Sequence, residues 1–177
     1  MSLIISASPH INSGVTTRSI MRDVLIALAP ALIAGTVIFG WRALLVTAVC
    51  TASCVFFEWG FEKLCKREST IGDLSAAVTG VILAFNLPVG IPLWQAVFGG
   101  LVAIVVVKQL FGGIGKNFAN PALVGRIVMF LAFSKSMTAW VFPDAVSSAT
   151  PLAQMAEGGA QDYLRLLLGN HGGCLGE

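Results

Sequence analysis

Residues 144–150 read Asp-Ala-Val-Ser-Ser-Ala-Thr and run directly into Pro151. A proline pushes the residue before it toward extended backbone. Ser147, Ser148 and Ala149 are small, so an approaching enzyme active site has access to the Thr150 hydroxyl. The same letters also spell a helix start, with Thr150 as N-cap and Pro151 in the first turn ahead of "PLAQMAEG". Spacing alone leaves both readings standing.

A second set of polar groups sits within apolar sequence. Ionisable residues at membrane depth are costly and are functional candidates by default. Arg126 interrupts "FANPALVGRIVMFLAF", and reads either as a group on an ion path or as a cation reaching back to water from a helix end. Lys116, in the glycine-rich "FGGIGKN" before it, reads as a snorkelling cation, and Asn120 is the polar residue between the two. Glu58 and Glu62 read as interfacial carboxylates paired with Lys63 or Lys66, with an ion path as the alternative. His10 and His171 are isolated in loop sequence and read as surface groups. The cysteines, Cys50, Cys54, Cys65 and Cys174, form no C-x-x-C pair and no zinc spacing. Cys50 and Cys54 share a helix face; they read as small packing residues, with a cluster ligand pair as the alternative.

The elements that must position these groups are membrane elements. Of 177 residues, 56% are hydrophobic and 11% charged, and the mean hydropathy is +0.84. That composition defines an integral membrane protein. A formal net charge of +2, with scattered basic residues, excludes a nucleic-acid partner. The first residues lack the apolar length and basic start of a cleaved signal peptide, so insertion rests on the later spans.

Residues 24–41 are uncharged, enough at about 1.5 Å per residue to approach the hydrocarbon thickness, and Pro30 is expected to bend this first span. Residues 43–57 make a second, with Glu58 and Glu62 marking its exit. From 74 to 107 no charge occurs, and "LPVGIP" at 87–92 divides the run into two short spans, 74–86 and 93–107. Trp94 is placed as an interfacial aromatic. The fifth span carries Arg126, and the preceding glycines suggest a broken or re-entrant element beside a polar cavity. Gly99-Gly100 read as close helix packing and Gly112-Gly113 as a loop hinge. With a cytoplasmic N-terminus, eight basic residues (Arg18, Arg22, Lys63, Lys66, Arg67, Lys108, Lys116, Arg126) fall on the cytoplasmic side and three (Arg42, Lys135, Arg165) do not. The expectation is an all-α integral membrane fold of about five transmembrane helices, a single membrane domain over 1–177 with residues 135–163 as an extracytoplasmic loop.

The stretch D-x-x-S-S-A-T resembles the acceptor motif of flavin transferases, Asp-x-x-Ser/Thr-Gly-Ala-Thr, with Ser148 where glycine is usual. Together with "SPH" at 8–10, "TGVILAFNLP" at 79–88, "KQLFGGIGKNFANPALVGR" at 108–126, "SSATPL" at 147–152 and "GNHGGCLGE" at 169–177, it makes the whole chain similar to the D subunit of Rnf electron-transport complexes, a family shared with the B subunit of sodium-pumping Nqr complexes. The short start before "SPH" favours Rnf. The resemblance implies the N-terminal half of a urea-transporter-like inverted-repeat fold. It implies FMN attached through its phosphate to Thr150, with Asp144, Ser147, Ser148 and Ala149 as the recognition sequence and residues 135–163 as a flavin-acceptor loop. Arg126, Lys116 and Asn120 become candidates near the flavin, Gly112-Gly113 a conceivable cradle for its phosphate, and riboflavin a possible second cofactor of the complete protein. The implied activity is a subunit's share in an ion-translocating oxidoreductase, passing electrons between ferredoxin and NAD with sodium or proton movement. Its partners would be the other Rnf subunits, the lipid bilayer and a maturing flavin transferase, and its location the cell inner membrane. A channel or transporter half without flavin is the competing class, and a purely structural membrane partner a third.

Overall fold

The computed structural model describes residues 14–67, 69–140, 156 and 173–176. Helix α1 spans Thr17–Phe39 and opens on a reciprocal cap, in which Thr16 Oγ1 accepts from Ser19 N while Ser19 Oγ accepts from Thr16 N. It runs through Pro30 as one helix. Gly40, at φ 78°, makes the turn into α2, Trp41–Leu64. A short 3₁₀ turn at Ile71–Asp73 precedes α3, Ser75–Phe85. Helix α4 covers Leu93–Leu101 and continues with wider π-helical winding over Val102–Gln109. Helix α5, Pro121–Ala132, and a single turn α6, Ser134–Met137, follow.

The described residues are mostly helical and contain no strand. Two helices, α1 and α2, are long and apolar enough to cross a membrane, whereas α3, α4 with its π extension, and α5 are shorter apolar elements. Along α1, Gly35 is the sole buried position, while Ile26, Ile33 and Val37 are 63–79% exposed. An apolar helix left uncovered on nearly every face is suited to lipid.

The packed centre lies between α2, α3, α4 and α5. Val46, Cys50, Leu83, Leu87, Ile91, Ala96, Ala103, Ala122 and Met129 form one buried cluster. Small residues set the helix spacing, as in close-packed membrane helices. A Cβ on Gly80 would lie 2.6 Å from Thr51 Cα, so α3 meets α2 backbone to backbone. Gly99 faces Met129, and Gly100 faces Ser53 and Cys54, as expected of that glycine pair. Cys50 and Cys54 are buried and not disulfide-bonded, and they serve as packing groups.

The break between α3 and α4 is more than a hairpin tip. Leu87 and Ile91 are fully buried and Val89 nearly so. Backbone in such a place must find partners within the protein. Arg42 supplies two, its Nε donating to Val89 O at 3.0 Å and its Nη2 to Ile91 O at 3.3 Å. Residues 173–176 supply more: Leu175 N donates to Leu87 O at 3.1 Å and Gly176 N to Phe85 O at 2.9 Å. Leu175 itself seats among Ala43, Val89, Phe39 and Phe85. The sequence points to the glycine-rich stretch 111–117 as the broken element, and the structure puts the buried irregular backbone at 86–92 instead. Residues 111, 112 and 114–116 are exposed, with Gly112, Gly113 and Gly115 at positive φ, a surface hinge.

Candidate functional site

The acceptor sequence, Asp144, Ser147, Ser148, Ala149 and Thr150, lies outside the described residues, as does most of the loop assigned to 135–163. The other three sequence candidates are described, and they do different things. Asn120 caps α5, its Oδ1 accepting from Ala122 N at 3.0 Å with Pro121 in the first turn. Lys116 is exposed and folds its stem over Gly112. Arg126 is partly buried and turned into the protein: Nη1 donates to Asn86 Oδ1 at 2.9 Å and Nη2 to Cys174 Sγ at 3.4 Å. Snorkelling does not describe it. It fastens the C-terminal end of α3 and the 173–176 segment to α5.

The densest polar cluster is elsewhere, and begins on α2. Glu58 and Glu62 are one helical turn apart, 0% and 3% exposed. Their partners are not Lys63 or Lys66. Lys108, itself 2% exposed, places Nζ 2.6 Å from Glu58 Oε1. Gln109 Nε2 donates to the same oxygen at 2.8 Å, and Thr70 Oγ1 at 3.2 Å. Consecutive residues on an α-helix point too far apart to share one acceptor easily. The wider winding over Val102–Gln109 brings Lys108 and Gln109 together, a use of π-helix often met at functional places.

Glu62 takes the other side, its Oε1 accepting from Thr70 N at 3.0 Å and from Thr70 Oγ1. Lys108 Nζ also donates to Ser75 Oγ, whose hydroxyl and backbone N–H are held by Asp73 Oδ1. Leu74, between them, has φ 64°, left-handed backbone that costs energy for a branched side chain and concentrates strain beside the cluster. Arg67 Nη1 closes the edge by donating to Gln109 O at 3.1 Å. Two oxygens remain: Glu58 Oε2 and Glu62 Oε2 are buried and accept nothing from the described residues. One carboxylate thus holds the buried ammonium and the other is held by Thr70, each with an oxygen left over that could take a small cation. Sequence spacing pointed only at the neighbours of these glutamates, because Lys108 is fifty residues away. The signal in the sequence was the pair itself, two acids at i and i+4 on an otherwise apolar helix.

Two helices long and apolar enough to cross a membrane, one of them exposed on most sides, a buried break in the backbone and an ion pair inside the helix cluster describe a helical membrane protein. Over residues 4–177 the chain matches the NQR2, RnfD, RnfE family, and it belongs to that family. It is 44% identical, over its whole length and 58% of the relative's, to the D subunit of the Na(+)-translocating ferredoxin:NAD(+) oxidoreductase complex of Acetobacterium woodii. It is 40% identical to the D subunit of the ion-translocating oxidoreductase complex of Halorhodospira halophila, over 81% of this chain and 41% of that one. With the same-named protein of Vibrio cholerae it shares 39% identity over 81% of this chain and 42% of that one. The chain spans roughly half the length of these relatives, all named as subunits of ion-translocating oxidoreductase complexes.

Proposed function

We propose that this protein is a membrane-embedded electron-transfer subunit of an Rnf-type complex, with FMN held as a phosphoester on Thr150. The observation that carries the reading is the sequence Asp144-x-x-Ser147-Ser148-Ala149-Thr150 in a chain of this family. The residue chemistry fits the group: a threonine hydroxyl among small residues can accept a phosphate ester, and Ser148 adds little bulk where glycine is usual. When bound, the flavin supplies one- and two-electron redox chemistry, and the protein supplies its place. Thr150 is an anchor, with Asp144, Ser147, Ser148 and Ala149 as the sequence read by the flavin transferase. Arg126, engaged with Asn86 and Cys174, holds the framework.

In this reading residues 1–177 are one membrane domain in the cell inner membrane, with five spans and the acceptor loop outside the cytoplasm. The buried turn at 86–92 supports its likeness to half of a urea-transporter-like repeat, because such folds place irregular backbone inside the protein. Other Rnf subunits complete the path between ferredoxin and NAD. Sodium or proton movement involves this chain through the carboxylate oxygens of Glu58 and Glu62 that accept nothing from the described residues.

The test is flavin fluorescence on a denaturing gel and intact mass, for the protein co-expressed with a flavin transferase. Wild type should fluoresce and gain the mass of one FMN ester. Thr150→Val should lose both at unchanged expression, and Thr150→Ser should retain part. A Thr150→Val form that still fluoresces would place the flavin elsewhere and overturn the assignment. A dark, unmodified wild type would favour the channel or transporter reading.

A further inference from the structure

Helix α2 carries an apolar stripe that runs alongside the positions of Glu58 and Glu62. Ala48, Thr51 and Ala52 form the floor of a groove there, Val55, Phe56 and Trp59 its wall, and Ile71 its end. These α2 positions recur three and four apart, so they form one stripe, about 16 Å long at the α-helical rise. The groove is a shallow, open trough of about 670 Å³, and Phe56 and Trp59 stand 61% and 46% exposed along it. One turn past Trp59, Lys63 holds its Nζ 4.9 Å from the indole centroid. Lys66 and Arg67 follow, both exposed. Glu58 and Glu62, on the adjoining face, are buried, and among the described residues, which leave out Glu68, no carboxylate lies within salt-bridge distance of Lys63, Lys66 or Arg67.

We infer that this groove binds one membrane phospholipid with an anionic headgroup, an acyl chain lying along Ala48–Trp59 and the phosphate at Lys63. The length of the stripe matches most of an extended acyl chain. Its small floor residues and aromatic wall offer a methylene chain continuous contact. Trp59 sits where an interfacial indole belongs, between apolar groove and charged rim. The rim decides between occupants. A neighbouring protein helix would fill the apolar stripe, whereas an anionic lipid fills it and also brings a negative charge to the cationic rim at the end of the same chain.

The experiment uses the full-length chain with Trp59 as its sole tryptophan (Trp41, Trp94 and Trp140 each replaced by Phe), reconstituted in phosphatidylcholine vesicles. A minor fraction of the lipid is brominated on its acyl chains, either as phosphatidylglycerol or as phosphatidylcholine. Brominated phosphatidylglycerol should quench Trp59 with a roughly fivefold binding preference, the size expected for one cation near a phosphate. Lys63→Gln should bring the two lipids near parity and Lys63→Arg should keep the preference. Ala52→Phe, which fills the floor of the groove, should weaken quenching by both at unchanged helicity. Equal quenching by the two lipids in the parent protein, or a preference that survives Lys63→Gln, would overturn the proposal. Absence of quenching by either lipid would show the groove filled by protein and overturn it equally.

Discussion

Lys108 has its stem and ammonium buried, and it is held across the helix interface by the Glu58 carboxylate, with Ser75 Oγ as a second acceptor. Removing one member of such a pair leaves the other charge without compensation in a place water does not reach, a loss of about 3–5 kcal/mol. Lys108→Met should therefore lower the midpoint of thermal unfolding in detergent sharply. Glu58→Gln should cost less, because the amide still accepts from Gln109 and Thr70. The double variant Lys108→Met with Glu58→Leu should recover much of the loss, since an apolar pair of similar volume is often tolerated. A double variant as unstable as the sum of the singles would mean that the two groups do not act as a pair.

At the scale of elements, the α2–α3 crossing is the tightest contact. Gly80→Ala would set a methyl against the Thr51 backbone, which cannot swing aside as a side chain can. The expected outcome is a loss of about 1–3 kcal/mol, read by unfolding, with Gly60→Ala, where nothing stands within reach, as the control that shows only the gain in helix propensity, about 0.5–1 kcal/mol. The buried turn after α3 depends on Arg42 in a similar way. Arg42→Met should leave the carbonyls of Val89 and Ile91 without their donors, at about 1–3 kcal/mol for each such group, and hydrogen exchange at residues 87–91 should rise before that of α2. Much of this layout was legible beforehand. Charge-free runs located the long helices, and "LPVGIP" located the break. The extent of α2 was not, because Glu58 and Glu62 look like the markers of a helix leaving the bilayer until Lys108 is seen opposite them. The acceptor loop was legible only through resemblance, since Ser, Ala and Thr before a proline satisfy a helix cap as well as they satisfy a transferase.

Across the whole molecule, the charge asymmetry that orients the chain needs amendment. Lys108 is buried in an ion pair and Arg126 is bonded inside the protein, so neither marks a water boundary. Arg42, bonded to the buried turn at Val89 and Ile91, drops out on the other side for the same reason, and six cations against two remain, the same sign with a smaller margin. Cys65, exposed at the end of α2 while Cys50 and Cys54 are buried, gives the check: an impermeant maleimide should label it in inverted membrane vesicles and not in intact cells, and labelling in intact cells would reverse the map. One further consequence concerns the order in which the protein can be made. Phe85 and Leu87 offer carbonyls to Leu175 and Gly176, residues synthesised about ninety positions later, on the order of ten seconds at the usual pace of a ribosome. During that interval α3 and its turn already exist with two acceptors unmet, and Arg42, which precedes them in the chain, is available to hold the neighbouring ones. The nascent protein must therefore wait, half closed, beside the insertion machinery until its 173–176 segment arrives, and a ribosome stalled before Cys174 would leave an opening that protease or a chaperone can find.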